Sequence, residues 1–121
     1  MSEESLHQGA CHCGAVAYEA TLALEGVLEC NCSHCYAKGF QLACVTPDKF
    51  PLKQGEDALS PEYLFNTHKI RHRFCTRCGV EAFASGEGPG GQKMVAINVR
   101  TLTDVEPWSV ETVRFDGRNK P

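Results

Sequence analysis

Seven of the chain's eight cysteines stand in three tight clusters. Cys11-His12-Cys13-Gly14, Cys30-Asn31-Cys32-Ser33-His34-Cys35 and Cys75-Thr76-Arg77-Cys78-Gly79 hold them, and Cys44 stands alone. Cysteines two or three positions apart rarely reach disulfide geometry with each other. A turn can, however, aim two such sulfurs at one point about 2.3 Å away, the reach of a tetrahedral zinc. The glycines after Cys13 and Cys78 suit turns that need a positive φ. The first residues, from Met1 to His7, are polar and acidic, without the basic start and apolar stretch of a secretory signal. The expected compartment is therefore the cytoplasm, where thiols stay reduced. Zinc is favoured over disulfides on both grounds.

Seven thiols divide into four and three. A four-cysteine zinc site is closed and structural, whereas three ligands leave a position for water or substrate. Cys30, Cys32 and Cys35 can form a local three-ligand site. Cys11 and Cys13 would then join Cys75 and Cys78 in a long-range site. Spacing alone also permits other partitions, with a histidine or aspartate as fourth ligand, and His34 could close the second site.

Between the clusters the chain reads as short strands. Residues 15–20 alternate, with Val16 and Tyr18 on one face. The runs 26–29, 40–45, 63–65 and 82–84 are further candidates. His68, Ile70, His72 and Phe74 alternate with Lys69, Arg71 and Arg73. Val95, Ile97 and Val99 share a face within 93–99, and 108–115 ends the series. Thr46-Pro47-Asp48-Lys49 has a capping threonine and a proline at the first helical position, and Thr101–Asp104 is a similar short turn. The glycine-rich stretch 86–93 lacks the order of a phosphate loop and reads as a hairpin connection. No helix of three turns, no repeat and no linker is evident. The expectation is one all-β domain over 1–121, made of small sheets stapled by zinc.

Fifteen acidic against twelve basic side chains give a net charge of -3. With no Lys/Arg stripe and no apolar run of bilayer length, neither nucleic acid nor a membrane is an expected partner. Oligomeric state is not legible.

Three motifs together resemble the glutathione-dependent formaldehyde-activating enzyme family: 9–16 (Gly-Ala-Cys-His-Cys-Gly-Ala-Val), 30–35 (Cys-Asn-Cys-Ser-His-Cys) and 74–79 (Phe-Cys-Thr-Arg-Cys-Gly). Phe65-Asn66-Thr67-His68-Lys69 is similar to the branch that contains centromere protein V. The resemblance covers about 7–116, the expected core of the domain, and implies an all-β, Mss4-like β-tent fold. It implies a structural zinc on Cys11, Cys13, Cys75 and Cys78, and a second zinc on Cys30, Cys32 and Cys35. It also implies an activity, the joining of formaldehyde to glutathione to give S-hydroxymethylglutathione, which is a carbon–sulfur lyase reaction in reverse.

Three thiolates make zinc a weak Lewis acid, better suited to carrying a thiolate than to making hydroxide, which points to C–S chemistry. His34, inside the three-cysteine cluster, is the candidate for proton transfer. His12 is expected to point away from the metal, and His68 and His72 to line a pocket wall or fill a half-buried position. Tyr36 follows the cluster closely. Lys38 could attract a substrate carboxylate, and Arg71, Arg73 and Arg77 an anion. Cys44 reads as a small core hydrophobe and Trp108 as a core anchor. The alternatives to an enzyme are a non-catalytic zinc-binding module that engages proteins, and a redox-labile zinc protein.

Overall fold

Two antiparallel-rich sheets face one another in the computed structural model, which describes residues 4–64, 70–87, 91–106 and 108–116. The smaller sheet holds β1 (Ser5–Ala10), β2 (Ala17–Leu22) and β5 (Leu52–Gln54) in the order β1-β2-β5. The larger contains β3 (Val27–Cys30), β4 (Leu42–Val45), β6 (Ile70–His72), β7 (Phe83–Glu87), β8 (Lys93–Asn98) and β9 (Thr112–Phe115). Its order is β6-β7-β8-β4-β3-β9, and β9 runs parallel to β3 while its other pairs are antiparallel. One α-helix, α1 (Ser33–Lys38), is found among the described residues, together with short 3₁₀ turns at Pro47–Lys49, Glu56–Ala58 and Val99–Thr101. This is the all-β, Mss4-like arrangement that the resemblance implied. Among the described residues no helix is long and apolar enough to cross a membrane.

The period of two explains where the core sits. Val16, Tyr18, Ala20 and Leu22 point inward from the small sheet, and Val95, Ile97 and Val99 inward from the large one. Phe50, set in place by the turn at Pro47–Lys49, joins the two. Its ring lies 4.9 Å from that of Tyr18 and 4.7 Å from that of Phe83. A second cluster packs Val16 and Ala58 around Cys11 and Cys75.

Tyr18 also starts a buried polar chain. Its hydroxyl donates to Thr101 Oγ1 (2.7 Å), which donates to the Asn98 carbonyl (2.7 Å), while Asn98 Nδ2 donates to the Glu81 carbonyl (3.1 Å). Burial pushes the phenol up to about 12, so it remains a donor. The ring lies over Gly9, its register partner on β1. A Cβ at Gly9 would sit 2.1 Å from Tyr18 Cζ. The ring cannot retreat, because Phe50 and the Thr101 hydrogen bond hold it. Gly9→Ala should therefore lose about 2–3 kcal/mol of stability through overpacking. Denaturant unfolding at fixed zinc checks this, and an unchanged midpoint would contradict it.

Four sequence expectations change. The helix α1 was not foreseen. Trp108 is no core anchor: it is 91% exposed, on a turn at φ 66° that aims it outward. Cys44 is exposed on β4 rather than in the core, because the neighbours Ala43 and Val45 point inward and it does not. The predicted turn at 101–104 lies slightly earlier, at Val99–Thr101, where the Asn98 side chain accepts from the Arg100 N–H. The glycine-rich stretch does join β7 to β8, which pair antiparallel out to Glu87 and Lys93. Its residues 88–90 lie outside the described ones, as do Phe65–Lys69 and with them His68.

Candidate metal centres

The first and third cysteine motifs fold into near-identical knuckles. In one, the Cys11 N–H donates to the Val16 carbonyl and Gly14 N–H to Cys11; in the other, Cys75 N–H donates to Val80 and Gly79 N–H to Cys75. Gly14 and Gly79 close these turns at φ 83° and 81°, where an L side chain is strained. Backbone N–H groups point at the sulfurs, Val16 N to Cys11 Sγ at 3.3 Å and Arg77 N to Cys75 Sγ at 3.4 Å.

The knuckles meet face to face. Cys13 Sγ lies 3.7 Å from both Cys11 Sγ and Cys75 Sγ, and all four cysteines converge. A disulfide would need about 2.05 Å. The edge of a sulfur tetrahedron with ~2.3 Å arms is about 3.8 Å. The donor set thus fits a closed tetrahedral metal. Its ionisation is uneven without one. Burial raises Cys78, yet the N–H groups of Val80 and Cys13 and the nearby thiols outweigh it and bring it to about 6. Cys13 is pushed up to about 11: the Ala15 N–H favours its thiolate, but burial and the thiols of Cys75, Cys11 and Cys78 oppose it. A divalent cation removes that competition.

The middle motif forms a second centre. Cys30 ends β3, Cys32 caps α1, and Cys35 is buried on the first turn. Cys30 Sγ accepts from Cys32 N and Cys32 Sγ from Cys35 N, each at 3.4 Å. Gly39 stops the helix at φ 71°. The parallel partner β9 buttresses the motif: Asn31 N donates to the Phe115 carbonyl (3.2 Å) and Asn31 Nδ2 to Asp116 (3.0 Å). These three sulfurs also converge. Cys32 carries charge first. Burial opposes its thiolate, but the Cys35 N–H, the two neighbouring thiols and the His34 N–H lower it. Burial raises Cys30 and Cys35. A cavity of about 550 Å³ opens beside Cys30, lined also by Glu29, Asn31, Tyr36, Arg114, Phe115 and Asp116.

A third cluster went unforeseen. The rings of His34 on α1 and His72 on β6 lie 3.9 Å apart between centroids, tilted by 39°, and Glu81 meets both. Glu81 Oε2 is 2.7 Å from His72 Nδ1, and Oε1 is 3.5 Å from Lys38 Nζ and 3.9 Å from His34 Nε2. Phe40 and Tyr63 flank His34 at 5.8 and 5.6 Å. Burial, His72 and Lys38 hold His34 below the ordinary imidazole range against the upward pull of Glu81, so it is neutral at pH 7. Lys38 lies over the Phe74 ring at 5.4 Å.

The other candidates fall away from these centres. His12 is exposed, as expected, and His72 is buried while its strand neighbours Ile70 and Phe74 remain exposed. Arg71 faces Glu62 at 3.9 Å, and Arg73 serves structure by donating to the Ser60 carbonyl and to Glu56. Arg77 is exposed on its knuckle.

The family model for the glutathione-dependent formaldehyde-activating enzyme matches residues 6–115. Among solved structures, the crystal structure of a Rhodobacter sphaeroides protein is similar, with a TM-score of 0.74 at 28% identity over 88% of this chain and 99% of that one.

Proposed function

Since the chain belongs to the glutathione-dependent formaldehyde-activating enzyme family, we propose that it joins a small thiol to an aldehyde, as when glutathione and formaldehyde give S-hydroxymethylglutathione. The observation that carries this reading is the contrast between the two cysteine centres. One is closed by four sulfurs. The other offers three, beside a cavity and next to the helix that carries His34. We assign zinc to both, the structural ion to Cys11, Cys13, Cys75 and Cys78 and the reactive one to Cys30, Cys32 and Cys35.

Zinc in the three-cysteine site would supply thiolate stabilisation and carbonyl polarisation. The chain's own groups do the rest. In the net reaction the thiol sulfur bonds to the carbonyl carbon, and the thiol proton ends on the aldehyde oxygen. His34 is the group that takes and returns that proton, since it is neutral and can accept it at pH 7. Arg114, set in the cavity wall with Glu29 and Asp116, offers a cation to a carboxylate of a peptide-like thiol. Run backwards, the same steps make a carbon–sulfur lyase.

The test is exchange NMR of glutathione and formaldehyde with and without protein. The expected result is exchange at least about tenfold faster at micromolar protein, lost on chelation and restored by zinc. Absence of acceleration with glutathione and several other thiols would replace the enzyme with a non-catalytic zinc module. Zinc release from the three-cysteine site at mild peroxide, without catalysis, would favour the redox-labile reading.

A further inference from the structure

We propose that His34, His72 and Glu81 form a third metal site, separate from both cysteine centres, for one divalent transition-metal ion. Each residue offers one ligand atom, and these atoms all lie within 4.8 Å of one another. They come from three segments of the fold: α1, β6 and the turn leading from the third knuckle into β7. Two imidazoles with one carboxylate are a borderline donor set, suited to Zn²⁺, Co²⁺ or Fe²⁺ rather than to Ca²⁺ or Mg²⁺.

Burial makes the cluster hard to explain as surface charge. Glu81 is 3% exposed and His72 5%. A buried carboxylate requires a cation or several hydrogen bonds. Asn98 Nδ2 donates to the Glu81 carbonyl, and the Glu81 side chain itself is 1% exposed. Two cationic or nitrogen groups converge on one oxygen, Oε1: Lys38 Nζ at 3.5 Å and His34 Nε2 at 3.9 Å. The ligand edge of a tetrahedral zinc with ~2.0–2.1 Å arms is about 3.4 Å. The His34–Glu81 separation of 3.9 Å exceeds it by about half an ångström, within the reach of a side-chain torsion.

Lys38 is then the internal stand-in for the ion. Its side chain is 34% exposed and sits on the last turn of α1. It can leave for solvent without opening the core. Metal and ammonium compete for the same oxygen, which gives the proposal a signature that a plain ion-pair network lacks. Removing Lys38 must strengthen metal binding, while neutralising Glu81 must weaken it. This site stands independently of the thiol–aldehyde reading. A metal there would occupy the His34 nitrogen that proton transfer needs, so the filled form would be a resting state of that reaction.

The experiment is Co²⁺ titration of the zinc-loaded protein, followed by calorimetry and visible absorption. The expected result is one further equivalent of Co²⁺ with ligand-field bands but without the near-ultraviolet sulfur-to-cobalt band that cysteine ligation gives. Lys38→Met should tighten that step about tenfold or more, by removing a competing charge. Glu81→Gln, nearly isosteric, should weaken it about tenfold or more. No nitrogen- and oxygen-ligated Co²⁺ in either the wild type or Lys38→Met overturns the proposal. So does Co²⁺ binding that is equally tight in Glu81→Gln, or one that carries the sulfur band. Because Lys38→Met leaves Glu81 its 2.7 Å contact with His72, it keeps the test decisive even where Glu81→Gln fails to fold.

Discussion

Cys75→Ser should leave a chain that does not hold its native fold. Cys75 is 0% exposed, anchors its knuckle through its own N–H to Val80, and puts its sulfur 3.7 Å from Cys13 on the opposite knuckle. Serine is shorter and a far weaker zinc ligand, and its hydroxyl would be buried beside three thiols. A structural zinc supplies on the order of 10–16 kcal/mol to folding. A chain of this size has a net stability of only about 5–15 kcal/mol. Losing most of the metal's contribution therefore consumes the margin. The measurements are bound zinc per chain and amide-dispersion NMR. Cys44→Ser is the matched control: Cys44 is exposed and outside both centres, so the fold and zinc content should be unchanged. A well-dispersed Cys75→Ser protein with full zinc would remove the structural role from the four-cysteine centre.

Cys32→Ala should do the opposite, sparing the fold and abolishing the chemistry. The second centre involves one strand end and a six-residue helix. Losing the Cys32 cap bond to the Cys35 N–H costs about 1 kcal/mol, and neither core cluster includes the residue. Yet Cys32 is the thiol of the three that ionises most readily, and two remaining cysteines are a poor zinc site. Bound zinc should fall by one per chain, and thiol–aldehyde exchange by at least about a hundredfold. Full activity with that zinc lost would mean that the reaction happens elsewhere.

Why some of this was legible in the sequence and some was not follows from the range of the interactions. The knuckles are local: a Cys-x-Cys-Gly or Cys-x-x-Cys-Gly string fixes the turn and aims both sulfurs, so spacing marked the three clusters and the division into four and three, while the joining of the first cluster to the third came from the resemblance. The inward faces of β2 and β8 were readable for the same reason, since Val16/Tyr18/Ala20 and Val95/Ile97 alternate without interruption. Helix α1 is too short to show a period, and its signals are its ends, Cys32 as cap and Gly39 in the left-handed region. Trp108 misled because a large apolar ring is usually covered, whereas here the backbone turns it into solvent. Glu81 gave no local sign at all. It is a single acid among Val80, Ala82 and Phe83, and its partners His72, Lys38 and His34 reach it from other elements. The pairing of β6 with β7 brings His72 to it, and His34 and Lys38 come from α1.

The long-range closure of the four-cysteine centre also has a consequence in time. Cys13 and Cys75 touch across 62 positions of chain. A ribosome adding ~5–20 residues per second needs roughly 3–12 s to deliver the second half of the site after the first. Throughout that interval Cys11 and Cys13 have no knuckle to close against, while Cys30, Cys32 and Cys35 follow closely behind them. The nascent chain is thus able to load the local three-sulfur centre first, and the half that will staple the sheets waits as two open thiols. Zinc scarcity or an oxidant acting during synthesis would strike this pair hardest, at a stage when the folded protein's burial of Cys11 does not yet shield it.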